Sequence, residues 1–348
     1  MEAQQRGDAA TAVSKYEHLL QLYPSVVAAR ANLAVELVSL GRFDEAIKQY
    51  RTALAQVPDN FDLRLNLGIA YYKKADYSAG ADVFRVLSKA QPGNTRIALL
   101  LSDCDFHLGH DAEAIAILSP LEETDPQNLA LAWALGSALI RAGRAQEGLE
   151  RVEKVAQQGQ SAEAYALAAD TYMKLNLYDK ARSNADEAKR LNPNLPGLHT
   201  LSGTILDSFG DQDGAALEFQ QALAENPKDF EAELRLGSVL YAQRKLDDAK
   251  LHVNRALAIE PASSLARYQL ARIERAQGQL DAAAGDLEKV VRDDPGWLPP
   301  HVELAALYYR LNRAEDGARE KQIVDRITAE EQERQTKTPI ITPQLPSH

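Results

Sequence analysis

The sequence predicts an all-α protein, an α-solenoid assembled from a repeated pair of helices. The strongest observation is a ladder of prolines at 34-residue spacing, at Pro24, Pro58, Pro92 and Pro126 and again at Pro193, Pro227, Pro261 and Pro295. Small residues recur in two columns with the same period. Ala and Leu are abundant, whereas Val, Ile and Thr seldom run together, and this composition favours helix over strand.

The proline ladder contains one irregularity. Pro126 and Pro193 are 67 residues apart, one residue short of two periods, and Gln160 stands where the missing proline would be. One repeat is therefore shorter than the others. Numbering each repeat so that its proline falls at position 32 places the repeat starts at Val27, Phe61, Thr95, Leu129, Ala162, Pro196, Phe230, Ser264 and Leu298.

Three further columns are in register with the prolines. Position 8 is small, with Ala34, Gly68, Ser102, Gly136, Ala169, Gly203, Gly237, Ala271 and Ala305. Position 20 is also small, with Ala46, Gly80, Ala114, Gly148, Ala181, Ala215, Ala249, Ala283 and Gly317. Position 24 is mostly large and apolar, as in Tyr50, Phe84, Leu118, Val152, Phe219, Val253 and Leu287. The small residues allow two helices to cross closely, and the large ones fill the space between neighbouring units.

Position 15 marks the end of the first helix of each repeat, which we call helix A. The residues at this position include Gly41, Gly109, Gly143, Gly210 and Gly278. Glycine adopts the left-handed conformation that ends a helix without a steric penalty. Asn176 and Asn312 stand at the same position and can adopt that conformation at modest cost. The pattern predicts a turn after helix A, followed by a second helix, helix B.

The two ends of the chain differ from the repeats between them. Before Pro24 only the last few residues of a helix A fit, which predicts a partial N-terminal repeat. At the other end, Lys321 replaces the apolar residue of position 24, and the helix is predicted to continue as a polar cap. We assign residues 1–335 to one solenoid with its capping helix, and the proline-containing residues 336–348 to a flexible tail.

These columns resemble those of the tetratricopeptide repeat family over residues 7–324. The resemblance implies a right-handed superhelix of about nine helix-turn-helix repeats, with the A helices lining a concave groove. Physical reasoning also requires stacking, because a single unit cannot bury its apolar face alone. The chain departs from the family at position 27, where Leu87, Leu121 and Val155 replace a small residue, and at Pro120, which is expected to kink a helix B.

Charge and composition argue against several classes of function. The 348 residues carry a formal net charge of −11, the wrong sign for general binding of DNA, RNA or anionic lipid. The sequence has no run of about 18 apolar residues, the length that a membrane span requires. Cys104 is the single cysteine, so an internal disulfide cannot form. We expect a monomer that binds a protein or peptide and no nucleic acid.

The cellular compartment is not fixed by the sequence. The N-terminal residues lack the apolar core of a signal peptide. The chain therefore reads as cytoplasmic, or as periplasmic or secreted if a signal peptide once preceded Met1. The Ala-rich, Cys-poor composition favours a bacterial source.

No catalytic, metal or cofactor site is predicted. The 19 glycines are largely used by repeat positions 8, 15 and 20, which leaves no phosphate-binding fingerprint. His107 and His110 flank the Gly109 turn, and we interpret them as solvated side chains rather than metal ligands. Cys104 stands at position 10, where the family commonly has a small buried residue, so inert packing is expected.

The inner face of the repeats provides the candidate binding site. The resemblance implies that positions 2, 5, 6, 9, 12 and 13 of helix A point into the groove. In the second to sixth units these positions supply an apolar stripe of Leu65, Ile69, Tyr72, Leu99, Leu100, Phe106, Trp133, Ile140 and Met173. The alternative is that several of them pack against the next helix. Trp133 is the strongest candidate, because tryptophan commonly anchors interfaces.

A cationic cluster follows further along the same face. It consists of Arg235, Arg272 and Arg275 beside Tyr241 and Tyr268. In an acidic chain, such a cluster is a candidate for holding a ligand carboxylate or phosphate. The alternative is internal pairing with acidic neighbours, namely Glu231, Glu274 or Glu303.

Two subtypes of the family fit poorly. One subtype has a clamp that holds chaperone C-terminal carboxylates. Asn66 and Arg96 match its pattern in the best window, but Ala31, Val35 and Leu100 do not. An asparagine ladder at position 6, as in sugar-transferring relatives, is not sustained beyond Asn66. Asn66 remains a groove candidate in its own right.

The interpretation that follows is a non-enzymatic scaffold that binds an extended or helical partner segment in its groove. The alternative is the substrate-recruiting arm of an enzyme or envelope assembly complex, whose catalytic part lies upstream or on another chain. The partial repeat before Pro24 keeps this alternative open. The coding sequence upstream of Met1 would separate the two.

Overall fold

The computed structural model describes the backbone of residues 2–337 and the side chains of residues 9–333. The predicted tail, residues 336–348, lies outside the described residues from position 338 onward. Within the described part the chain forms nineteen helices and no strand, as predicted. The helices are α1 Glu2–Leu22, α2 Val27–Ser39, α3 Phe43–Gln56, α4 Phe61–Lys73, α5 Tyr77–Ala90, α6 Thr95–Leu108, α7 Asp111–Thr124, α8 Leu129–Arg141, α9 Ala145–Gly159, α10 Ala162–Lys174, α11 Tyr178–Leu191, α12 Leu198–Ser208, α13 Gln212–Glu225, α14 Phe230–Ala242, α15 Leu246–Ile259, α16 Ser264–Ala276, α17 Leu280–Asp293, α18 Leu298–Arg310 and α19 Ala314–Lys337.

The helices group into two compact units. Unit 1 is Met1–Leu175, with α1 to α10, and unit 2 is Asn176–His348, with α11 to α19. Within each unit, every helix packs against the next one along the chain. A helices of neighbouring repeats also touch, as α6 and α8 do in unit 1 and α14 and α16 do in unit 2. Each unit therefore carries a surface made of adjacent A helices.

The A helices begin where the repeat numbering predicts, with one exception. Asn60, Asn94 and Asp229 accept hydrogen bonds from backbone N–H groups in the first turn and so cap α4, α6 and α14. The predicted start at Pro196 is wrong by two residues, because Gly197 adopts a left-handed conformation with φ of 79° and α12 begins after it.

The ends of the A helices confirm the interpretation of position 15. The glycines at this position have φ between 75° and 80°, and Asn176 and Asn312 have φ of 58°. Ala75 and Arg244 occupy the same position and also have φ of 63°. A side chain in this conformation is strained by contact between Cβ and the backbone. The turn is therefore imposed by the flanking helices even where glycine is absent.

Replacing Ala75 with Gly is expected to stabilise the protein by about 0.5 to 1 kcal/mol, because the gain from relieved strain exceeds the added freedom of the unfolded chain. The measurement is the free energy of chemical unfolding. Gly109→Ala at the same position of the next repeat is the matched control, and it should destabilise by a similar amount. Destabilisation by Ala75→Gly would contradict the strain argument.

The small residues of position 8 accommodate the large side chains of position 24. A methyl group at Gly68 would lie 2.6 Å from the ring of Phe84, and one at Gly203 would lie 2.7 Å from the ring of Phe219. Both rings are fully buried. In these two repeats the predicted close crossing of helices A and B is therefore made by an aromatic ring lying directly on a glycine backbone.

Unit 2 contains a second link between helices A and B that the sequence reasoning missed. Positions 4 and 23 pair a carboxylate with a histidine or an arginine in its four full repeats, and the pairs are His199–Glu218, His252–Glu233, Arg267–Asp286 and His301–Glu320. The histidine pairs are the closest, with Nδ1 to carboxylate distances of 2.5 to 2.7 Å. His301 also approaches the Pro295 carbonyl through Nε2, at 3.2 Å. These pairs fix each B helix on its A helix.

The two terminal helices and Pro120 of α7 bear on three of the predictions. The partial N-terminal repeat is a single continuous helix, α1, rather than a short helix A followed by a helix B. Helix α7 continues through Pro120 to Thr124. At the other end α19 packs on α18 and buries Ile327, which is consistent with a capping helix.

Candidate functional site

Unit 1 brings several of the predicted residues together on α4, α6 and α8. The Tyr72 hydroxyl on α4 donates a hydrogen bond to the Asp103 carboxylate on α6 and so links two repeats. This hydrogen bond, together with burial, raises the pKa of Tyr72 to about 12. Ile69, Leu99 and Leu100 line the depression beside this link. The phenol therefore acts as a neutral donor that holds Asp103 in place.

A cavity of about 390 Å³ lies between α6 and α8. Its walls include three predicted residues, Leu99, Phe106 and Trp133. The carboxylates of Asp103 and Asp111 also line it. We call this feature the α6–α8 cavity. It combines an apolar lining with two acidic groups, and its two aromatic rings are only partly buried.

Phe106 is held at the rim by a cation. Its ring is 40% exposed, and the guanidinium carbon of Arg141 lies 4.0 Å from the ring centroid. Arg141 also donates to the Phe106 carbonyl oxygen at 3.0 Å and forms an ion pair with Asp111 at 3.0 Å. Cation–π contact and pairing together fix the orientation of the ring. A large apolar surface is therefore presented outward in a defined position.

Other predicted groove residues in unit 1 have different surroundings. Leu65 is only 9% exposed and belongs to the core between α4, α5 and α6, so it is not available at the surface. Ile140 packs against Gly148 of α9, because its Cγ1 lies 2.6 Å from where a methyl group of residue 148 would stand. Asn66 and Met173 are partly buried. The aromatic residues, rather than the whole apolar stripe, define the candidate surface.

The two histidines and the cysteine of this region are accounted for by packing. His107 stacks on the Tyr77 ring at a centroid distance of 3.9 Å. His110 lies 3.5 Å from Asp105, whose pKa is raised by burial. Burial also raises the pKa of Cys104 to about 12, so its thiol is protonated and a poor nucleophile. Among the described residues, no cluster of His, Cys, Asp and Glu has a geometry that could hold a metal ion.

The arginines of unit 2 have internal acidic partners. Arg235 donates from Nε to Glu231 at 2.6 Å, one turn away on α14. Arg272 and Arg275 lie 3.7 and 3.5 Å from the two carboxylate oxygens of Glu303 on α18. The distances indicate ion pairs without direct hydrogen bonds. Of the suggested acidic partners, Glu231 and Glu303 are found here.

The suggestion that Glu274 is a third acidic partner of these arginines is wrong. It is buried and forms an ion pair at 2.9 Å with Lys250 on α15, the helix B of the preceding repeat. Position 11 of helix A therefore faces the helix-packing core, not the groove, in this repeat. Among the described residues, Arg272 and Arg275 share a single carboxylate, that of Glu303.

Aromatic rings surround that arginine cluster. The Arg272 guanidinium lies 5.1 Å from the ring centroid of Tyr241 and 5.8 Å from that of Tyr268. The Tyr268 hydroxyl donates to Glu303 at 2.8 Å, and burial together with this bond raises its pKa to about 12. Trp297 packs edge-on against Tyr268 at 4.9 Å. The cluster is a second, separate candidate surface, confined to unit 2.

Sequence reasoning missed the residues that position the aromatic rings. Asp103 is one position from Cys104 on α6 but was not recognised as the acceptor for Tyr72. The signal was present, since the two stand at position 12 of one repeat and position 9 of the next. Arg141 stands at position 13, one of the positions expected to point into the groove, whereas Asp111 stands at position 17 and carried no signal in the repeat pattern.

Within the part of the chain that the structure describes, no helix is both long enough and apolar enough to cross a membrane.

Comparison with known families identifies the repeated unit. A model described as TPR repeat matches residues 36–74, and models described as tetratricopeptide repeat match residues 76–139, 162–195, 200–264 and 234–297. These matches together cover more than half of the chain. Their spacing follows the proline ladder.

Individual relatives are similar over a limited part or at low identity. The Vi polysaccharide export protein VexE of Salmonella typhi is 34% identical over 102 residues, which are 28% of this chain and 15% of that protein. The chain thus spans only a small part of the length of that relative.

Two solved structures share the fold. A tetratricopeptide repeat protein from Parabacteroides merdae has a TM-score of 0.55 at 15% identity, covering 71% of this chain and 98% of its own. The APC/C hetero-tetramer Cut9–Hcn1 gives a TM-score of 0.59 at 14% identity, covering 94% of this chain and 81% of the matched chain. The proline ladder, the helix pairs and the family models agree, and the chain belongs to the tetratricopeptide repeat family.

Proposed function

We propose that this chain is a non-enzymatic scaffold that binds an extended or helical segment of a protein partner on the A-helix surface of unit 1. The observation that carries the proposal is the α6–α8 cavity, where Trp133 and the 40% exposed Phe106 present aromatic surface on a rigid helical frame. Partly exposed aromatic side chains of this kind are typical anchors of interfaces. The Tyr72–Asp103 and Arg141–Phe106 contacts hold the surface in one conformation before binding.

The absence of enzymatic function is part of this proposal. Two titratable side chains of this surface, Tyr72 and Arg141, hold neighbouring residues in place, and the thiol of Cys104 is buried and protonated. A net charge of −11 further supports a protein or peptide partner over nucleic acid.

Replacing Trp133 with Ala is expected to weaken peptide binding by about 2 kcal/mol, roughly 30-fold, because a central aromatic anchor is removed. The measurement begins with a phage-displayed library of random peptides selected on the immobilised full chain. The affinities of the selected peptides for the original chain and for Trp133→Ala are then compared. Folding stability should change much less, since the ring is only partly buried.

Phe209→Ala in unit 2 provides the matched control for this experiment. Phe209 is 43% exposed and lies near the guanidinium of Arg182 at 5.6 Å, much as Phe106 lies near Arg141. This variant should bind the selected peptides normally. Equal binding by the original chain and Trp133→Ala, with both folded, would mean that the unit 1 surface is not the functional one. A loss of folding stability of about 3 to 5 kcal/mol in Trp133→Ala would instead assign the ring to the core.

A second candidate function is the recruiting arm of an envelope assembly complex. The observation that favours it is the similarity of 102 residues to a polysaccharide export protein. This function uses the same surface but requires a catalytic or transport partner on another polypeptide or in another part of the same one. Fractionation of cells that express the natural gene tests it, because an envelope complex would place the protein with the envelope fraction.

A further inference from the structure

We propose that the α6–α8 cavity receives a cationic side chain, a lysine or an arginine, of the bound segment. This inference rests on the proposed function and names the chemistry that the same surface selects. The two ionisable side chains that line the cavity, Asp103 and Asp111, are both acidic.

The two carboxylates are not equivalent. Asp111 already forms an ion pair with Arg141 at 3.0 Å. Asp103 accepts the hydroxyl of Tyr72, but in the described part of the chain it belongs to no ion pair. A hydroxyl satisfies one lone pair and leaves the negative charge in place. Of the two carboxylates, Asp103 is therefore the one for which the described residues supply no counter-ion.

The walls of the cavity suit a cation with an aliphatic stem. Trp133 and Phe106 supply aromatic surface in the lining, which attracts a positive charge, and Leu99 supplies apolar surface for methylene groups. The hydroxyl oxygen of Ser137, also in the lining, is buried without a hydrogen-bond partner. An ammonium or guanidinium group carries only donors, so it could serve both this oxygen and the Asp103 carboxylate.

The chain itself demonstrates this mode of recognition at the rim of the cavity. The Arg141 guanidinium lies over the ring of Phe106 at 4.0 Å and pairs with Asp111 at 3.0 Å. One aromatic ring and one carboxylate together hold one cation. Trp133 and Asp103 both line the cavity, so the same two kinds of group are available there, and among the described residues Asp103 has no cationic partner in an ion pair.

Two cations nearby bear on the proposal. Lys73 and Arg96 line the neighbouring depression on the α4 side, together with Asp103. Both are exposed, so their charges are screened by solvent, and neither lines the cavity itself. They favour an acidic residue of the segment next to the cationic one, rather than an acidic residue in the cavity.

The test uses the full chain and the peptides that depend on Trp133. In each peptide, every lysine is replaced in turn by norleucine, which keeps the four-carbon stem, and every arginine by citrulline, which keeps the length of the side chain; both replacements remove the charge. Replacement at one position is expected to weaken binding at least 10-fold. Asp103→Asn, which retains an acceptor for Tyr72, should cause a similar loss for the original peptide and little further loss for the neutral one.

Asp170→Asn is the matched control variant. Asp170 stands at the same repeat position as Asp103, but it already pairs with Lys174 at 2.7 Å. This variant should bind the cationic peptide normally. Thermal unfolding of both variants checks that the fold is intact, and Asp103→Glu should rescue part of the affinity if the charge is what matters.

The outcomes separate the inference from the proposed function. Peptides that depend on Trp133 but are indifferent to neutral replacement and to Asp103→Asn would overturn the inference and leave an apolar occupant. Peptides that lose binding only when their acidic residues are replaced would overturn it in favour of an anion held by Lys73 and Arg96. If no selected peptide depends on Trp133, the proposed function fails, and the cavity proposal fails with it.

Discussion

Replacing Phe84 with Ala is expected to destabilise unit 1 by about 3 to 5 kcal/mol, the largest effect anticipated in the molecule. The ring is 0% exposed and lies at the centre of the core formed by α4, α5 and α6. Truncation removes its transfer free energy and leaves a cavity over the Gly68 backbone, where rigid helices cannot collapse. The free energy of unfolding, from chemical denaturation followed by circular dichroism, is the measurement.

A double-mutant cycle with Gly68 makes this prediction specific. Gly68→Ala alone should be destabilising, because its methyl group would stand 2.6 Å from the Phe84 ring. In the Phe84→Ala background the same change should be neutral or stabilising, since the obstacle has gone and Ala is a better helix former. Additive effects of the two changes would contradict the direct contact.

Phe209→Ala is the control for loss of an aromatic side chain as such. This ring is 43% exposed, so its truncation should cost less than about 1 kcal/mol. Hydrogen exchange adds a spatial check, because contacts in a repeat array are mainly between neighbours. Phe84→Ala should accelerate exchange in α4 to α6 more than in unit 2.

Replacing Gly148 with Ala should destabilise the protein by about 2 to 3 kcal/mol, although position 20 is Ala in most repeats. A methyl group there would stand 2.6 Å from the carbonyl oxygen of Gly136 and 2.6 Å from Cγ1 of Ile140. The first of these is backbone and cannot move without shifting α8 against α9. Overpacking rather than lost burial is therefore the mechanism.

Gly285→Ala is the matched control for this substitution. Gly285 also lies within a B helix, α17, but a methyl group there meets nothing within 4 Å. The change should be neutral or stabilise by up to about 1 kcal/mol, because Ala has the higher helix propensity. Comparable destabilisation by the two variants would show that close packing at Gly148 is not the cause.

The candidate site could be predicted only in part from the sequence. Repeat numbering predicts that Leu99, Phe106 and Trp133 share a surface, because helical periodicity decides which positions share a face, and the three line one cavity in the structure. It could not predict that Leu65 is buried and Trp133 accessible, because both stand at position 5. Leu65 is covered by its neighbours on α5 and α6, whereas Trp133 borders an open cavity.

Position 12 shows the same limit more sharply. Tyr72 turns to a carboxylate of the next repeat, Phe106 lies exposed under Arg141, and Ile140 packs on Gly148 of its own repeat. The repeat pattern is identical in the three cases. What differs is the particular neighbour within reach, and that neighbour lies in a different helix.

The sequence by itself determined the helix pairs, their turns and their crossing points. Proline, glycine and small residues act on the backbone next to them, so their spacing is sufficient to specify local structure. The tertiary structure alone decided which side chains of the inner face remain accessible. Contacts such as Tyr72 with Asp103 and Arg141 with Phe106 join residues 31 and 35 positions apart. Such contacts depend on distances between stacked repeats, which periodicity does not encode, and they determine which aromatic side chains stay exposed.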